Sequence, residues 1–288
     1  MCRHFAYLGR PVAIRSVLLD PPFGLLRQSW APRLQRHGTV NADGYGVGWY
    51  AEGDERPARY RREGPIWADG DLADLARVVR SSAVLGAVRS ATAGCAAGAQ
   101  AAAPFAAGRW LFSHNGALPG WPRAFAPLAG LLPPDELLEL EARTDSALLW
   151  AVVLNRLRAG AKPGEALAEV CLAAAELGDA RLNLLLTDGT SVAATAWGDT
   201  LFQRRDADGS VLVASEPFDD GPGWSEVPDR TLLVADAAGS SLTPLTPQSP
   251  LTPQSPLTPQ SPLTPQSPLT PQSPRAATGP RTREDVPR

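Results

Sequence analysis

The chain has 288 residues, 44% of them hydrophobic, which is enough to bury the core of one large domain or two small ones. Its formal net charge of −3 gives no electrostatic basis for binding nucleic acid or an anionic membrane. The three cysteines, Cys2, Cys95 and Cys171, are too few for a disulfide framework. No apolar run reaches the roughly 18–20 residues that span a bilayer, and the N-terminus lacks a signal-peptide pattern, so we expect a cytoplasmic protein.

The predicted elements before residue 236 are strands at both ends, with helices between them. Period-two patterns predict strands at 2–8, 45–50, 83–89 and 109–114. Helices are predicted at 135–141, 145–159 and 163–177, followed by short strands at 182–187, 191–197, 200–204, 211–215 and 231–235. Asp-Gly pairs at Gly189 and Gly209 indicate hairpin turns between neighbouring late strands. The order predicts two antiparallel sheets covered by helices.

The chain changes character after residue 236. A hexad, LTPQSP, repeats from residue 245 to residue 274, and every third residue of that stretch is proline. Such a segment forms neither a helix nor a central strand. We therefore predict a folded domain at 2–238 and a disordered, proline-rich tail at 239–288. The partner of this tail, if it has one, is unknown, and a role as ligand for adaptor domains that bind proline-rich segments stays open.

Cys2 is the most informative residue, because removal of Met1 would make it the N-terminal residue. A free thiol has a pKa of about 8.5 and an α-amino group of about 7.7–8.0, so one residue would carry both a nucleophile and its base. A cysteine at position 2 also occurs by chance. Three downstream segments favour the catalytic interpretation: 88–92 (VRSAT), 112–116 (FSHNG) and 143–146 (RTDS).

These segments supply the groups that a thiol needs in order to cleave an amide with a free amino-acid end. Asn115 offers a side-chain N–H and Gly116 a backbone N–H to the oxyanion, although Asn-Gly is also a common hairpin turn. Arg89, at the end of a predicted strand, can bind a carboxylate with two N–H groups. Asp145 can accept an ammonium group, but Thr144 or Asp145 could instead cap the following helix.

The ordered set of Cys2, Arg89 with Thr92, Asn115-Gly116 and Asp145 resembles the class II glutamine amidotransferases, within the N-terminal-nucleophile hydrolase superfamily. The resemblance covers residues 2 to about 236 and implies an α+β fold, a four-layer αββα sandwich. It implies that Cys2 attacks a γ-glutamyl carbonyl, with Asn115 and Gly116 as the oxyanion hole. Arg89 would bind the α-carboxylate, Asp145 the α-ammonium, and Thr92 would belong to the same substrate site. The mechanism requires no metal and no cofactor.

A narrower resemblance concerns segments 1–9, 28–33 and 41–50, which look like those of the γ-glutamyl hydrolases of ergothioneine biosynthesis. It implies a small-molecule substrate, γ-glutamyl-hercynylcysteine S-oxide. Family members that channel ammonia carry an aromatic residue and a histidine where this chain has Ser90 and Ala93. Nothing after residue 236 predicts a synthase domain, which favours hydrolysis. The alternatives are ammonia supply to a separate partner and a non-catalytic binding subunit.

Trp30 is the predicted receptor for the leaving group, lining the pocket within reach of Cys2, because it lies in a predicted loop and an aromatic face attracts a trimethylammonium group. Trp121 and Trp224 are weaker candidates, and the tryptophans assigned to the core are Trp49, Trp110, Trp150 and Trp197. Two other chemistries are less well supported. A cysteine–histidine pair would use His114 or His37, and a zinc site at Cys2 and His4 lacks a second ligand pair.

Overall fold

The computed structural model describes residues 2–92 and 94–246, which belong to one compact unit. The strands within these residues are β1 (Arg3–Ala13), β2 (Tyr45–Trp49), β3 (Ala58–Arg62), β4 (Arg80–Val88), β5 (Phe105–Ala107), β6 (Trp110–Ala117), β7 (Arg181–Thr187), β8 (Ser191–Ala196), β9 (Phe202–Arg205), β10 (Val211–Ala214), β11 (Ser225–Glu226), β12 (Thr231–Asp236) and β13 (Ser240–Pro244). The helices are α1 (Arg15–Leu18), α2 (Leu25–Gln28), α3 (Leu72–Val78), α4 (Ala126–Ala129), α5 (Pro134–Leu138), α6 (Asp145–Arg158) and α7 (Pro163–Ala175).

The strands form two antiparallel sheets. The first sheet has the order β11-β9-β10-β1-β4-β2-β3, with β1 in its middle, and the second has the order β13-β12-β8-β7-β6-β5. The β7–β8 and β9–β10 hairpins turn at Gly189 and Gly209, whose φ angles of 86° and 83° favour glycine. The two predicted Asp-Gly hairpins and the predicted αββα class are therefore confirmed.

Alternation along each strand sorts the side chains into three apolar layers. In β1, Phe5 packs with the helix-side cluster of the first sheet, and Ala6 lies in the cluster between the sheets. In β6, Leu111 lies between the sheets, whereas Phe112 packs on the helix side of the second sheet and stacks on Trp150 of α6. The same alternation decides which polar residues enter the space between the sheets.

The folded part extends beyond the predicted boundary at residue 238. Strand β13 pairs with β12 along five residues, and the Leu245 side chain, 7% exposed, joins the helix-side core of the second sheet. The Leu245 N–H also donates to the Arg230 carbonyl at 2.7 Å. Pro244 is compatible with this pairing because it ends a strand at the sheet edge. The remainder of the predicted tail, 247–288, lies outside the described residues.

Three helices of the first sheet's outer layer were not predicted, because α1, α2 and α3 span only four, four and seven residues. Such short segments carry too few residues to show a 3.6-residue period. Over the part of the chain that the structure describes, no helix is both long and apolar enough to cross a membrane.

Candidate active site

Cys2 and Arg89 lie at the same end and on the same face of the first sheet. The register pairs Arg3 of β1 with Val88 of β4, so the next step along both strands sets Cys2 opposite Arg89. Val88 belongs to the helix-side core, and Cys2 and Arg89, one residue further, therefore take the face toward the second sheet. The Cys2 side chain is partly exposed, and Arg89 is 7% exposed.

Asn115 faces this end of the first sheet from β6. It lies two and four residues beyond Ser113 and Leu111, so all three side chains share the face between the sheets. The Ser113 hydroxyl lies 3.1 Å from Nδ1 of His4, which is two residues from Cys2. The register and these contacts bring Cys2 and Arg89 from one sheet toward Asn115 from the other.

Asn115 and Gly116 lie inside β6, where they pair with Asn183 and Leu182 of β7. The plain hairpin-turn interpretation of this Asn-Gly pair is therefore wrong. A Cβ at position 116 would stand 1.9 Å from the Arg181 carbonyl oxygen, so the close approach of β7 by itself requires glycine. Asn115 is completely buried, and within the described residues its Oδ1 accepts no hydrogen bond. A buried amide with an unused polar atom is a feature of ligand and water sites.

The Arg89 guanidinium is held by two loops. Its Nη2 donates to the Ala96 carbonyl at 2.8 Å, and its Nη1 lies 3.5 Å from the Asp43 carbonyl. The Asp43 carboxylate in turn accepts the Ala91 N–H at 2.7 Å. Neutral carbonyl acceptors orient the cation without cancelling its charge, so Arg89 keeps its capacity to bind an anion.

Asp145 is the first residue of α6, but it is not the residue that caps this helix. Thr144 takes that role, because its hydroxyl accepts the Ala147 N–H at 3.1 Å. Asp145, 4% exposed, accepts the Ser146 N–H at 2.8 Å through Oδ1 and the Leu118 N–H at 3.3 Å, just beyond the end of β6, through Oδ2. The helix N-terminus stabilises its negative charge. The structure thus leaves Asp145 as a buried carboxylate at the Asn115 end of β6.

The segment between β4 and β5 contacts both Arg89 and Asp145. Cys95 donates its thiol to Asp145 Oδ1 at 3.7 Å, next to the Ala96 carbonyl that binds Arg89. The partly buried Thr92 accepts the Cys95 N–H at 3.1 Å through its carbonyl. A cavity of about 260 Å³ on this side is lined by residues that include Asp43, Arg89 and Cys95. Thr92, Arg89 and Asp145 are therefore linked through one segment.

The other two cysteines are poor nucleophiles. Burial raises the pKa of the Cys95 thiol to about 11, and the nearby Asp145 carboxylate adds to the effect. Burial in the helix-side core of the second sheet raises the pKa of Cys171 to about 12. Both thiols are protonated near neutral pH, and the thiolate is the reactive form. These environments favour Cys2 as the reacting thiol.

His4 and His114 are buried, and burial disfavours the charged form that a general base must take up. His114 is buried, its Nε2 donates to the Arg181 carbonyl at 2.9 Å, and its Nδ1 lies 3.0 Å from the Ser146 hydroxyl. Burial lowers the pKa of His114, and it lowers that of His4 to about 3. His37 is exposed on the loop before β2. Across residues 2–92 and 94–246, no group of three or more His, Cys, Asp or Glu side chains is arranged to hold a metal ion.

Trp30 lies at the surface, 38% exposed, beyond the end of α2. Its ring meets that of Trp67 edge-on at 5.6 Å between centroids, and the Arg27 guanidinium lies 5.6 Å from its ring centroid. Trp67 is itself 45% exposed and was not among the predicted site residues. Of the tryptophans assigned to the core, Trp150 is buried, and three others, Trp49, Trp110 and Trp197, lie partly exposed at the core margins.

Two polar residues that form hydrogen bonds at this end of the molecule were not predicted from any motif. The Asp43 carboxylate accepts the backbone N–H of Ala91, 48 residues away in the chain. The Ser215 hydroxyl accepts a hydrogen bond from the amide of Asn115, 100 residues away. Such contacts depend on the pairing of distant strands, which no local pattern encodes. Asp43 lies within segment 41–50, whose resemblance to the γ-glutamyl hydrolases assigned no role to this residue.

Comparisons with known proteins give the same family as the motifs. The family model for class II glutamine amidotransferases matches residues 19–208. A γ-glutamyl-hercynylcysteine sulfoxide hydrolase of Mycolicibacterium smegmatis is 44% identical over 250 residues, covering 85% of this chain and 100% of the relative. The protein of that name in Mycobacterium tuberculosis H37Rv is 43% identical over 247 residues, covering 85% of this chain and 97% of the relative.

Two solved structures share the fold. A class-II glutamine aminotransferase domain protein from Silicibacter pomeroyi superposes with a TM-score of 0.62 at 25% identity, over 86% of this chain and 100% of its own. The glutamine phosphoribosylpyrophosphate amidotransferase of B. subtilis gives 0.59 at 17% identity, over 85% of this chain and 49% of its own. Family model, full-length relatives and fold agree, and the chain belongs to the class II glutamine amidotransferases.

Proposed function

We propose that this chain hydrolyses a γ-glutamyl amide, with Cys2 as an N-terminal nucleophile after removal of Met1. The observation that carries the proposal is the strand register. It sets Cys2 opposite Arg89 on the face of the first sheet that meets Asn115 of the second. The range matched by the family model includes Arg89, Asn115 and Asp145, so three of these positions fall within the shared domain.

In the proposed reaction the α-amine of Cys2 takes the thiol proton, and the sulfur attacks the γ-carbonyl carbon. The carbonyl oxygen becomes an oxyanion, which Asn115 Nδ2 and the Gly116 N–H stabilise. Collapse of this intermediate breaks the C–N bond, and the ammonium returns its proton to the leaving amine. Water then attacks the thioester, with the amine again as base, and releases glutamate and the free thiol.

The charges around the site fit the free end of a γ-glutamyl group. Arg89 is a buried cation held by neutral carbonyls, and Asp145 is a buried carboxylate at a helix start. Together with Thr92 they form a bipolar receptor for an α-carboxylate and an α-ammonium group. A substrate lacking either charge would leave one buried ion uncompensated, which is costly. The receptor thus selects an amino-acid end over a plain amide.

The substrate we propose is γ-glutamyl-hercynylcysteine S-oxide, cleaved to glutamate and hercynylcysteine S-oxide. The two mycobacterial relatives, which align over 97–100% of their own length, carry the name of that hydrolase activity. The hercynyl part of the leaving group ends in a trimethylammonium, which has no N–H to donate. Trp30, with Trp67 against it, is the aromatic receptor we assign to this group, at about 0.5–2 kcal/mol per contact. The cytoplasm is the proposed site of action.

Ammonia supply to a separate partner is the second candidate. A probable glutamine amidotransferase of Saccharomyces cerevisiae is 27% identical over 164 residues, which cover 54% of this chain and 46% of the relative. Such an enzyme would use glutamine itself as substrate and would lose nothing when the leaving group is reduced to ammonia. The choice of leaving group therefore separates the two functions.

The test compares glutamate release from γ-glutamyl-hercynylcysteine S-oxide and from glutamine by the same purified enzyme. We expect kcat/KM to be higher for the larger substrate by about 100-fold or more, because leaving-group contacts contribute to binding in the transition state. Trp30→Leu should raise KM for the larger substrate and leave glutamine hydrolysis unchanged. The partly exposed Trp110→Leu is the matched control. Equal kcat/KM on both substrates would instead support ammonia supply.

A further inference from the structure

We infer that Ser215 is a positioning residue, which holds the Asn115 amide in place for the oxyanion. The inference rests on the proposed role of Asn115. Ser215 is completely buried and directly follows β10, the neighbour of β1 in the first sheet. No sequence motif pointed to it, and its place between His4 and Asn115 follows only from the packing of the two sheets.

The Ser215 hydroxyl uses its full hydrogen-bonding capacity. It accepts the His4 N–H at 3.0 Å and one Asn115 Nδ2 hydrogen at 3.3 Å, and it donates to the His4 carbonyl at 3.2 Å. A hydroxyl has one proton to donate and two lone pairs, so all three positions are occupied. It therefore has no freedom to rotate away from Asn115.

This hydroxyl is the side-chain partner of Asn115 within the described residues, where the amide oxygen Oδ1 has none. Because one hydrogen of Nδ2 points at Ser215, the orientation of the amide plane is set and the second Nδ2 hydrogen remains for the substrate. The other end of the same hydroxyl binds His4, two residues from Cys2. Ser215 thus couples the strand that carries the nucleophile to the proposed oxyanion donor.

Of the two backbone N–H groups that bond between His4 and Ser215, only that of His4 uses this hydroxyl. The Ser215 backbone N–H donates to the His4 carbonyl at 3.0 Å, which continues the β1–β10 pairing whichever side chain is present. Removing Oγ would leave that bond intact and would free the Asn115 amide to turn. The expected consequence is a loss in the chemical step and not in substrate binding.

Ser81 provides a matched control at the opposite end of the same sheet. It is 3% exposed, and its hydroxyl likewise bonds backbone groups, those of Tyr50 just after the neighbouring β2 and of Ala83 in its own strand. Ser81 is far along β4 from Arg89, which follows that strand's other end. Ser81→Ala and Ser215→Ala remove the same group from similar surroundings, so they should lower the melting temperature by similar amounts.

The experiment measures kcat, KM and the affinity for a γ-aldehyde analogue of glutamate, which forms a tetrahedral adduct with a thiol. Ser215→Ala should lower kcat about 10–100-fold and should lower the affinity for the aldehyde analogue by the same factor. The inhibition constant of glutamate should stay unchanged. Ser81→Ala should leave all three constants unchanged. Should Ser215→Ala fail to fold, Ser215→Cys keeps the shape with a weaker acceptor and should give a smaller loss of the same kind.

A double-mutant cycle with Asn115→Ala decides between positioning and an independent effect. If Ser215 acts through Asn115, Ser215→Ala should change kcat by less than about threefold once Asn115 is alanine. Equal losses in both backgrounds would overturn the inference, as would an unchanged kcat of Ser215→Ala while Asn115→Ala is impaired. An unchanged kcat of Asn115→Ala itself would instead overturn the proposed oxyanion role.

Discussion

The space between the two sheets differs strongly between its two ends. At one end Leu8 and Leu111 pack among aliphatic side chains, as in any sandwich core. At the end that carries Cys2, the same strands contribute the buried polar residues His4 and Asn115 instead. Two polar atoms there, His4 Nε2 and Asn115 Oδ1, have no partner among the described residues. Leaving such atoms buried costs stability, which favours a ligand site at this end and simple packing at the other.

The largest effect we expect is loss of activity in Cys2→Ala. Glutamate release should fall by many orders of magnitude, because nothing else in the site supplies a thiolate. The melting temperature should stay close to that of the wild type, since Cys2 is partly exposed and lies before the first strand. Glutamate release within about tenfold of the wild type would show that the polar end is not the reaction site.

Asn115→Ala and Leu111→Ala compare the two ends directly on one strand. Asn115→Ala should lower kcat about 10²–10³-fold. Leu111→Ala should leave kcat near the wild-type value but lower the free energy of unfolding by about 2–5 kcal/mol, because it opens a cavity in the apolar end. Steady-state kinetics and denaturant unfolding on both variants provide the measurement. The reverse pattern would remove the distinction between the ends.

His4 makes the stability of the polar end dependent on pH. Burial lowers the pKa of His4 to about 3 in the folded protein, whereas an unfolded histidine has a pKa of about 6.5. Between these values the unfolded chain binds more protons, so stability is lost as the pH falls below 6.5. Between pH 6.5 and 4.5, His4 alone should lower the free energy of unfolding by about 2 kcal/mol. Urea unfolding of wild type and His4→Gln tests this, and identical pH slopes would contradict it.

The smallest effect concerns the outer side of the second sheet. A chain ending at Gly239 loses β13 and the buried Leu245, whereas a chain ending at Thr246 keeps both. Burial of one leucine contributes about 2 kcal/mol, so the shorter chain should melt roughly 4–8 °C lower. Both chains should retain the wild-type kcat, because this edge is remote in sheet order from β6. Equal melting temperatures would show that β13 adds nothing to the fold.

Local sequence patterns predicted the layers of the fold, but they did not predict the contacts between strands that are distant in the chain. The alternation in β1 and β6 separates Phe5 from Ala6 and Phe112 from Leu111, and it predicted the sandwich. Strand β13 was not predicted, because the proline content after residue 236 argued against a strand. An edge strand can nevertheless end in a proline, which a central strand cannot accommodate. The pattern of a strand thus indicates its own two faces but not the strand with which it pairs.

The site residues divide in the same way. Residue type and motif order indicated Cys2, Arg89 and Asp145, but the Asn-Gly pair was equally compatible with a turn until the pairing with β7 placed it inside a strand. Ser215 had no signal at all, because a serine acquires meaning there only from the amide 100 residues away in the chain. Residue types and their order thus indicated the reacting groups, but they did not indicate the residues that hold those groups in place.

The most direct test of a terminal nucleophile is covalent labelling followed by peptide mapping. A γ-diazoketone analogue of glutamine alkylates a thiolate that approaches its carbonyl, and mass spectrometry of the labelled enzyme identifies the residue. Our account predicts an intact mass lacking one methionine, with a single label on the N-terminal Cys2, and no label in Arg89→Ala at the same concentration. A label on Cys95, or full labelling of a chain that retains Met1, would contradict it.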